Sequence, residues 1–292
     1  MKSIIKFYFK ALSFISPNLA GLSAFNFFQR PLNKKVRKKE LTFFKAVKSF
    51  KIKHYLEDIH CYELGPKDGP IVILVHGWES NAASLSGIGL QLAEEGYHVV
   101  LFNLPAHGFS KLKKANLKIC KEVLLEVINH IHPSGPFSII AHSFGSAVTT
   151  YALSKTTYHI NNLILLTSPN KMADVFKEYS DFIGLSHAGY INLCNRATKL
   201  LKEPLEELAV ASIGQKIRYD HMTIIQDEND KVINKEKAIH IYNGWENSEL
   251  KLVKDKGHYR MLWDQSVIDL ISIALKQKKT QAPNNDRLLV KI

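Results

Sequence analysis

Three short segments bring together residue types that can activate a nucleophile. In Phe137–Val148, FSIIAHSFGSAV, an apolar strand runs into Ala141-His142-Ser143-Phe144-Gly145 and then into a small-residue helix start. A strand, a sharp turn and a helix in succession present a serine on an exposed elbow. The residues two before and two after the serine must be small, or their side chains collide across the bend. Gly145 meets this requirement, and Ala141 meets it with one methyl to spare. Ser143 then sits at a helix N-terminus, where the dipole favours negative charge. In LVKDKGHYRMLWD, His258 follows an apolar strand directly after Gly257. A base there needs one ring nitrogen on the serine and the other on an acid. In TIIQDENDKVI, a strand ends in Asp227-Glu228-Asn229-Asp230, and either aspartate could be that acid.

A fourth segment, VILVHGWES, places His76-Gly77-Trp78 after a buried strand. An alkoxide developing on an attacked carbonyl needs fixed N–H dipoles, and the N–H groups of Trp78 and Phe144 are the expected donors. His76, Gly77 and Gly145 are expected to support these loops, His76 by hydrogen bonding. His187, His221 and His240 read as a cap-helix, a strand-start and a helix position without catalytic roles.

These residues need strand ends to hold them. Apolar runs predict strands at Ile71–Val75, Val99–Phe102, Phe137–Ala141, Leu163–Thr167, Met222–Ile225 and Leu250–Val253. Between most of them lie helical spacings: Ala82–Glu95, Leu117–His130, Ala147–Leu153, Lys235–Tyr242 and Met261–Leu275. Such alternation implies an α/β fold with a mostly parallel sheet covered on both faces. Residues 170–220 break the rhythm and read as helix only, including Asp174–Phe182 and Arg196–Leu208 with a break at Pro204. This is a helical insertion between two strands, the expected cap.

The chain has 292 residues with a net charge of +12. Residues 1–53 hold 13 of the 39 basic residues and one acid, Glu40, so the remaining 26 basic and 26 acidic residues cancel. A nucleic-acid groove running through the body is thereby disfavoured. At 46% hydrophobic and 23% charged the composition is globular. The three scattered cysteines, Cys61, Cys120 and Cys194, lack ligand spacing, so neither a metal site nor a disulfide framework is expected, and a reducing compartment is. The expected organisation is a basic amphipathic segment over 1–53, a catalytic body over 54–276 with its cap at 170–220, and a polar tail over 277–292.

Lys2, Lys6 and Lys10 recur on one face of an N-terminal helix, and apolar residues take the other side. Two readings lead, a helix packed on the body or an interfacial helix through which residues 1–39 touch an anionic membrane; a cleaved signal ranks behind both, because no small-residue cleavage site follows an apolar core. Residues 11–29 are too polar for a spanning helix. The expected location is the cytoplasm, with peripheral attachment to the inner membrane under the second reading.

The order Ser143…Asp230…His258, each at a strand end, resembles the α/β-hydrolase superfamily over residues 54–276. HGW, FNLPAHGFS, AHSFGSA, DENDKVI and GHYRMLW all fall in its order, and the combination is similar to a group of bacterial serine esterases. The resemblance implies an eight-stranded, mostly parallel sheet, a helical cap and no cofactor. It also implies that Asp230, not Asp227, is the triad acid. Asn103 stands where many members have aspartate, Ala106 and Ala141 where glycine is frequent, and Asn234 where proline is common. The expected activity is cleavage of a small-molecule carboxylic ester with an apolar portion, through an acyl-enzyme on Ser143. The alternatives are an acyltransferase or thioesterase using the same groups, and a non-catalytic member binding a membrane or a partner.

Overall fold

The computed structural model describes residues 2–34, 36–277 and 289–291. Nine strands are described: β1 (Lys48–Ile52), β2 (Ile59–Leu64), β3 (Ile71–Val75), β4 (His98–Phe102), β5 (Phe137–His142), β6 (His159–Leu166), β7 (Arg218–Asp227), β8 (Ser248–Val253) and β9 (Leu289–Lys291). They form one sheet in the order β1-β2-β4-β3-β5-β6-β7-β8-β9. β2 pairs antiparallel with β1 and β4, and every later pairing is parallel. β1 to β8 make the eight-stranded, mostly parallel sheet expected. β9 adds a strand beside β8 from the polar tail, of which residues 278–288 and 292 lie outside the described residues. β1 lies inside 1–53, so the sheet starts before residue 54, where the body was expected to begin.

The parallel strands are apolar on both faces because both faces are covered. Along β3, Ile73 and Val75 join one buried cluster while Val72 and Leu74 join another. Successive side chains point to opposite faces of a strand, so these clusters are the two sides of one sheet. β1 and β2 escaped prediction because KSFKI and IHCYEL carry charged residues and are only partly buried.

Eleven helices are described: α1 (Lys2–Ile15), α2 (Pro17–Phe28), α3 (Lys38–Ala46), α4 (Ser86–Glu94), α5 (Leu117–Ile131), α6 (Phe144–Leu153), α7 (Met172–Ile183), α8 (His187–Leu201), α9 (Val210–Ile213), α10 (Lys235–Gly244) and α11 (Gln265–Leu275). The helix expected over Met261–Leu275 is split. The Asp264 carboxylate caps α11 by accepting the Ser266 N–H at 3.1 Å, and a short 3-10 turn precedes it. α8 starts and ends earlier than expected, closing at Lys202 in the left-handed region (φ 60°). α7, α8 and α9 all lie between β6 and β7.

α1 and α2 form a hairpin around Ser16, whose hydroxyl accepts the Leu19 N–H at 3.3 Å, with Pro17 opening α2. The hairpin packs on α7 and α8. A Cβ on Gly21 would sit 2.5 Å from the Asn192 Cβ and 2.9 Å from the Gly189 carbonyl, so only glycine allows this approach. Tyr179 donates its hydroxyl to the Ala24 carbonyl at 2.9 Å. Among the described residues no helix is long and apolar enough to cross a membrane.

Candidate active site

The end of β5 places Ser143, the expected nucleophile. Ser143 N–H donates to the Leu166 carbonyl at 2.9 Å, continuing the β5–β6 ladder for one more residue. The backbone then bends with Ser143 at φ 52° and ψ −123°, a conformation costing an L-residue about 1–3 kcal/mol. Gly145 permits the bend, because a Cβ there would lie 2.5 and 2.6 Å from the carbonyls of Val75 and His76. α6 begins at Phe144, so the Phe144 N–H belongs to the first helical turn and has no intrahelical acceptor.

Ser143 Oγ lies 3.0 Å from His258 Nε2, and His258 Nδ1 lies 2.8 Å from Asp230 Oδ2. Both partners are withdrawn from water, with side chains 4% and 0% exposed. The other carboxylate oxygen of Asp230 accepts the N–H groups of Val232 and Ile233 at 2.7 and 3.1 Å. Burial pushes the Asp230 carboxyl up, but the His258 hydrogen bond and charge, with these two N–H groups, outweigh it and hold it below the ordinary carboxylate range.

Asp227 has another task. Its fully buried carboxylate accepts the N–H groups of Asn229 at 2.7 Å, Lys256 at 2.5 Å and Gly257 at 3.0 Å. It staples the loop after β7 to the loop after β8, and therefore Asp230 to His258. The neighbour of the serine, His142, adds a second tie by donating from Nε2 to the His258 carbonyl at 2.9 Å. Its Nδ1 is buried with no hydrogen-bond partner among the described residues. Burial first, and the His258 charge second, push His142 down to about 3.

The loop after β3 rests on two more histidines. His76 donates from Nδ1 to the Gly77 carbonyl at 2.8 Å and accepts the Leu104 N–H at Nε2 at 3.0 Å. His107 donates from Nδ1 to the Pro105 carbonyl at 2.8 Å and accepts the Glu79 N–H at 3.1 Å. Each is a neutral ring whose Nε2 must stay unprotonated to accept. Burial pushes His76 down to about 3 and His107 to about 4. Asn103 explains its own departure from aspartate, because its oxygen accepts the Ala82 N–H at 3.0 Å while its nitrogen donates to the Tyr62 hydroxyl at 3.3 Å. Asn234 caps α10 by accepting the Glu236 N–H at 2.8 Å.

Trp78, Ser143 and Phe144 line one cavity of about 350 Å³. Phe176, Tyr179 and Phe182 of the expected cap line it too, but Ile183, Leu185 and Tyr190 do not. Sequence reasoning missed the opposite wall, Phe25, Phe27 and Phe28 of α2. Phe28 meets Phe176 and Tyr179 with ring centroids 4.6 and 4.9 Å apart. The basic segment thus packs on the body, one of the two readings of it, and goes further by supplying part of the cavity wall. No local spacing signals such a contact. His107 was also missed, since its function depends on Glu79, a distant partner.

A family model described as the alpha/beta hydrolase fold matches residues 70–192. A thioesterase domain from the curacin biosynthetic pathway superposes with a TM-score of 0.61 at 17% identity, covering 80% of this chain and 100% of that one. This is the α/β-hydrolase fold. Among curated proteins, the hydrolase-fold chain is similar to the magnesium-chelatase 30 kDa subunit of Rhodobacter capsulatus, 33% identical over 30% of this chain and 31% of the relative. It is also similar to the human serine hydrolase-like protein, 27% identical over 36% of this chain and 53% of the relative. The chain therefore spans about a third to a half of the curated relatives it matches. Within the α/β-hydrolase fold, Ser143, Asp230 and His258 occupy the ends of β5, β7 and β8, on loops that share one edge of the parallel sheet.

Proposed function

We propose that the protein is a serine hydrolase cleaving carboxylic esters with an apolar portion. The observation that carries this reading is the unbroken hydrogen-bonded chain from Ser143 through His258 to Asp230, opening on an apolar cavity. Ser143 Oγ attacks the carbonyl carbon as His258 Nε2 takes its proton. Asp230 holds the Nδ1–H tautomer and stabilises the imidazolium. The N–H groups of Trp78 and Phe144 receive the developing oxyanion. The C–O bond to the alcohol breaks, and His258 returns the proton to the leaving oxygen. Water, activated by the same imidazole, then frees the acid. His76, Gly77 and Gly145 shape the loops around these groups.

The cavity, about 350 Å³, lies at the small end of the roughly 300–1,000 Å³ usual for small-molecule sites. Its α2, α7 and α8 walls suit an acyl chain, and α7–α9 serve as its cap. The similarity to a thioesterase domain favours a second reading, cleavage of a thioester by the same groups. Contact of residues 1–39 with anionic membrane is compatible with either reading and depends on neither.

A fluorophosphonate probe should label wild-type protein and spare Ser143→Ala, which should also lose ester turnover by several orders of magnitude with its fold intact. Labelling that survives Ser143→Ala overturns the assignment. Product analysis with oxygen esters and thioesters of one acyl chain separates the two readings.

A further inference from the structure

The outer face of α1 is largely unpacked, with Tyr8 alone among its large side chains tied back, its hydroxyl 3.3 Å from Ser23 Oγ. Ile4, Phe7, Tyr8, Phe14 and Ile15 are 73%, 74%, 51%, 93% and 76% exposed. With 3.6 residues per turn they fall, with Ala11, inside an arc of about 120°. The inner face already holds the helix. Phe9 is buried, its ring 6.2 Å from that of Phe27, and Ser13 Oγ accepts the Ser186 N–H at 3.2 Å. A helix fixed on one side and solvated on the other carries polar residues outside, and this one carries aromatic rings.

Charge selects the occupant. Residues 2–28 contain no acid, and Lys6 and Lys10 border the apolar arc. Their stems rest against the body: the Lys6 Cγ and Lys10 Cε lie 3.6 and 3.5 Å from where a Cβ on Gly184 would sit. Apolar rings edged by lysines match the boundary between acyl chains and acidic head groups. A second copy of this chain would instead bring the same lysines face to face.

The same hairpin walls the cavity. α2 contributes Phe25, Phe27 and Phe28, and Phe182, half-exposed, lines the cavity two residues from Gly184. We propose that the α1–α2 hairpin seats the protein on an anionic bilayer through the outer face of α1, and that the ester it cleaves is an acyl lipid resident in that bilayer. The second half of this statement rests on the ester-hydrolase reading. The lipid's acyl chain passes from the bilayer along the hairpin to the aromatic wall, so it is never fully exposed to water.

The test uses full-length protein, with vesicles of phosphatidylcholine alone or mixed with phosphatidylglycerol. Sedimentation should show binding to the mixed vesicles only. Phe7→Asp/Phe14→Asp should weaken that binding at least about tenfold. Lys6→Gln/Lys10→Gln should weaken it about thirtyfold, at roughly 1 kcal/mol per lysine. Both variants should keep wild-type turnover of a soluble short-chain ester while losing hydrolysis of vesicle lipid in proportion to binding. Equal binding to neutral vesicles, or unchanged binding by Phe7→Asp/Phe14→Asp, overturns the docking surface. A wild-type dimer that this variant makes monomeric, with no vesicle binding, reassigns the face to self-association and also overturns it. Vesicle binding with soluble-ester turnover but no lipid cleavage refutes the lipid substrate alone. Vesicle binding with no turnover of any ester refutes the hydrolase reading and leaves the docking surface standing.

Discussion

Acid should unfold this protein through its buried histidines before its carboxylates titrate. His76 and His107 each accept a backbone N–H at Nε2, and His142 carries an unpartnered Nδ1. A proton on any of these nitrogens either removes an acceptor or places a buried N–H without one. The folded values are pushed from 6.5 to about 3, 4 and 3 respectively. The sign follows directly. Below about pH 6.5 the unfolded chain binds protons that the native state refuses, so stability falls with pH until the folded values are reached. Each histidine contributes a slope of about 1.4 kcal/mol per pH unit in that window, and three give about 4. One pH unit is then a large fraction of a usual stability of about 5–15 kcal/mol. Depressed carboxylates lose their contribution only below their ordinary values, 3.8 for Asp230 and 4.5 for glutamates such as Glu63, so the range above pH 5 belongs mainly to the histidines. Urea unfolding at steps between about pH 7 and pH 5 measures the slope. His142→Gln and His107→Gln should each flatten it by about 1.4 kcal/mol per unit, whatever they do to absolute stability. A flat profile over that range, or slopes unchanged in both variants, refutes the reasoning.

The two aspartates should separate by phenotype. Asp230→Asn turns an NH₂ toward His258 Nδ1 and should cut turnover about ten-thousandfold with little change in stability. Asp227→Asn leaves three N–H groups short of a carboxylate and should cost about 3 kcal/mol in urea unfolding, with the turnover of the folded fraction falling far less. Gly145→Ala drives a methyl into two backbone carbonyls of the β3 end, and should lower stability by about 1–3 kcal/mol and abolish probe labelling.

How much of this was legible depends on how local each cause is. The parallel strands were visible because burial on both faces leaves unbroken apolar runs, as in IVILV of β3. β1 and β2 were not, because Lys48, Lys51 and Glu63 interrupt them at the sheet margin. The serine elbow was readable in five residues, since its steric demand falls on Ala141 and Gly145 themselves. Composition alone could not choose between Asp227 and Asp230, three residues apart. They differ in what reaches them: Lys256 and Gly257 for one, His258 for the other. The α2 wall was invisible for the same reason, because Phe28 and Phe176 meet across a stretch of chain that holds β1 to β6.

The charge count and the construction of the site therefore point in different directions, and the contacts decide which matters. Glu40, the single acid of residues 1–53, is buried, bound by Arg37 and by the Asn81 amide at 3.0 Å. Before it, the N–H groups of Leu32 and Asn33 reach the Glu79 carboxylate at 2.8 and 3.3 Å. Glu79 adjoins Trp78, and its own N–H is held by His107. The segment that carries the net charge thus grips the loop proposed to hold the oxyanion at two points, and walls the cavity at a third. Under the proposed ester reading, the neutral body suits an uncharged ester, and the basic segment that walls the cavity is where a surface-borne one would arrive.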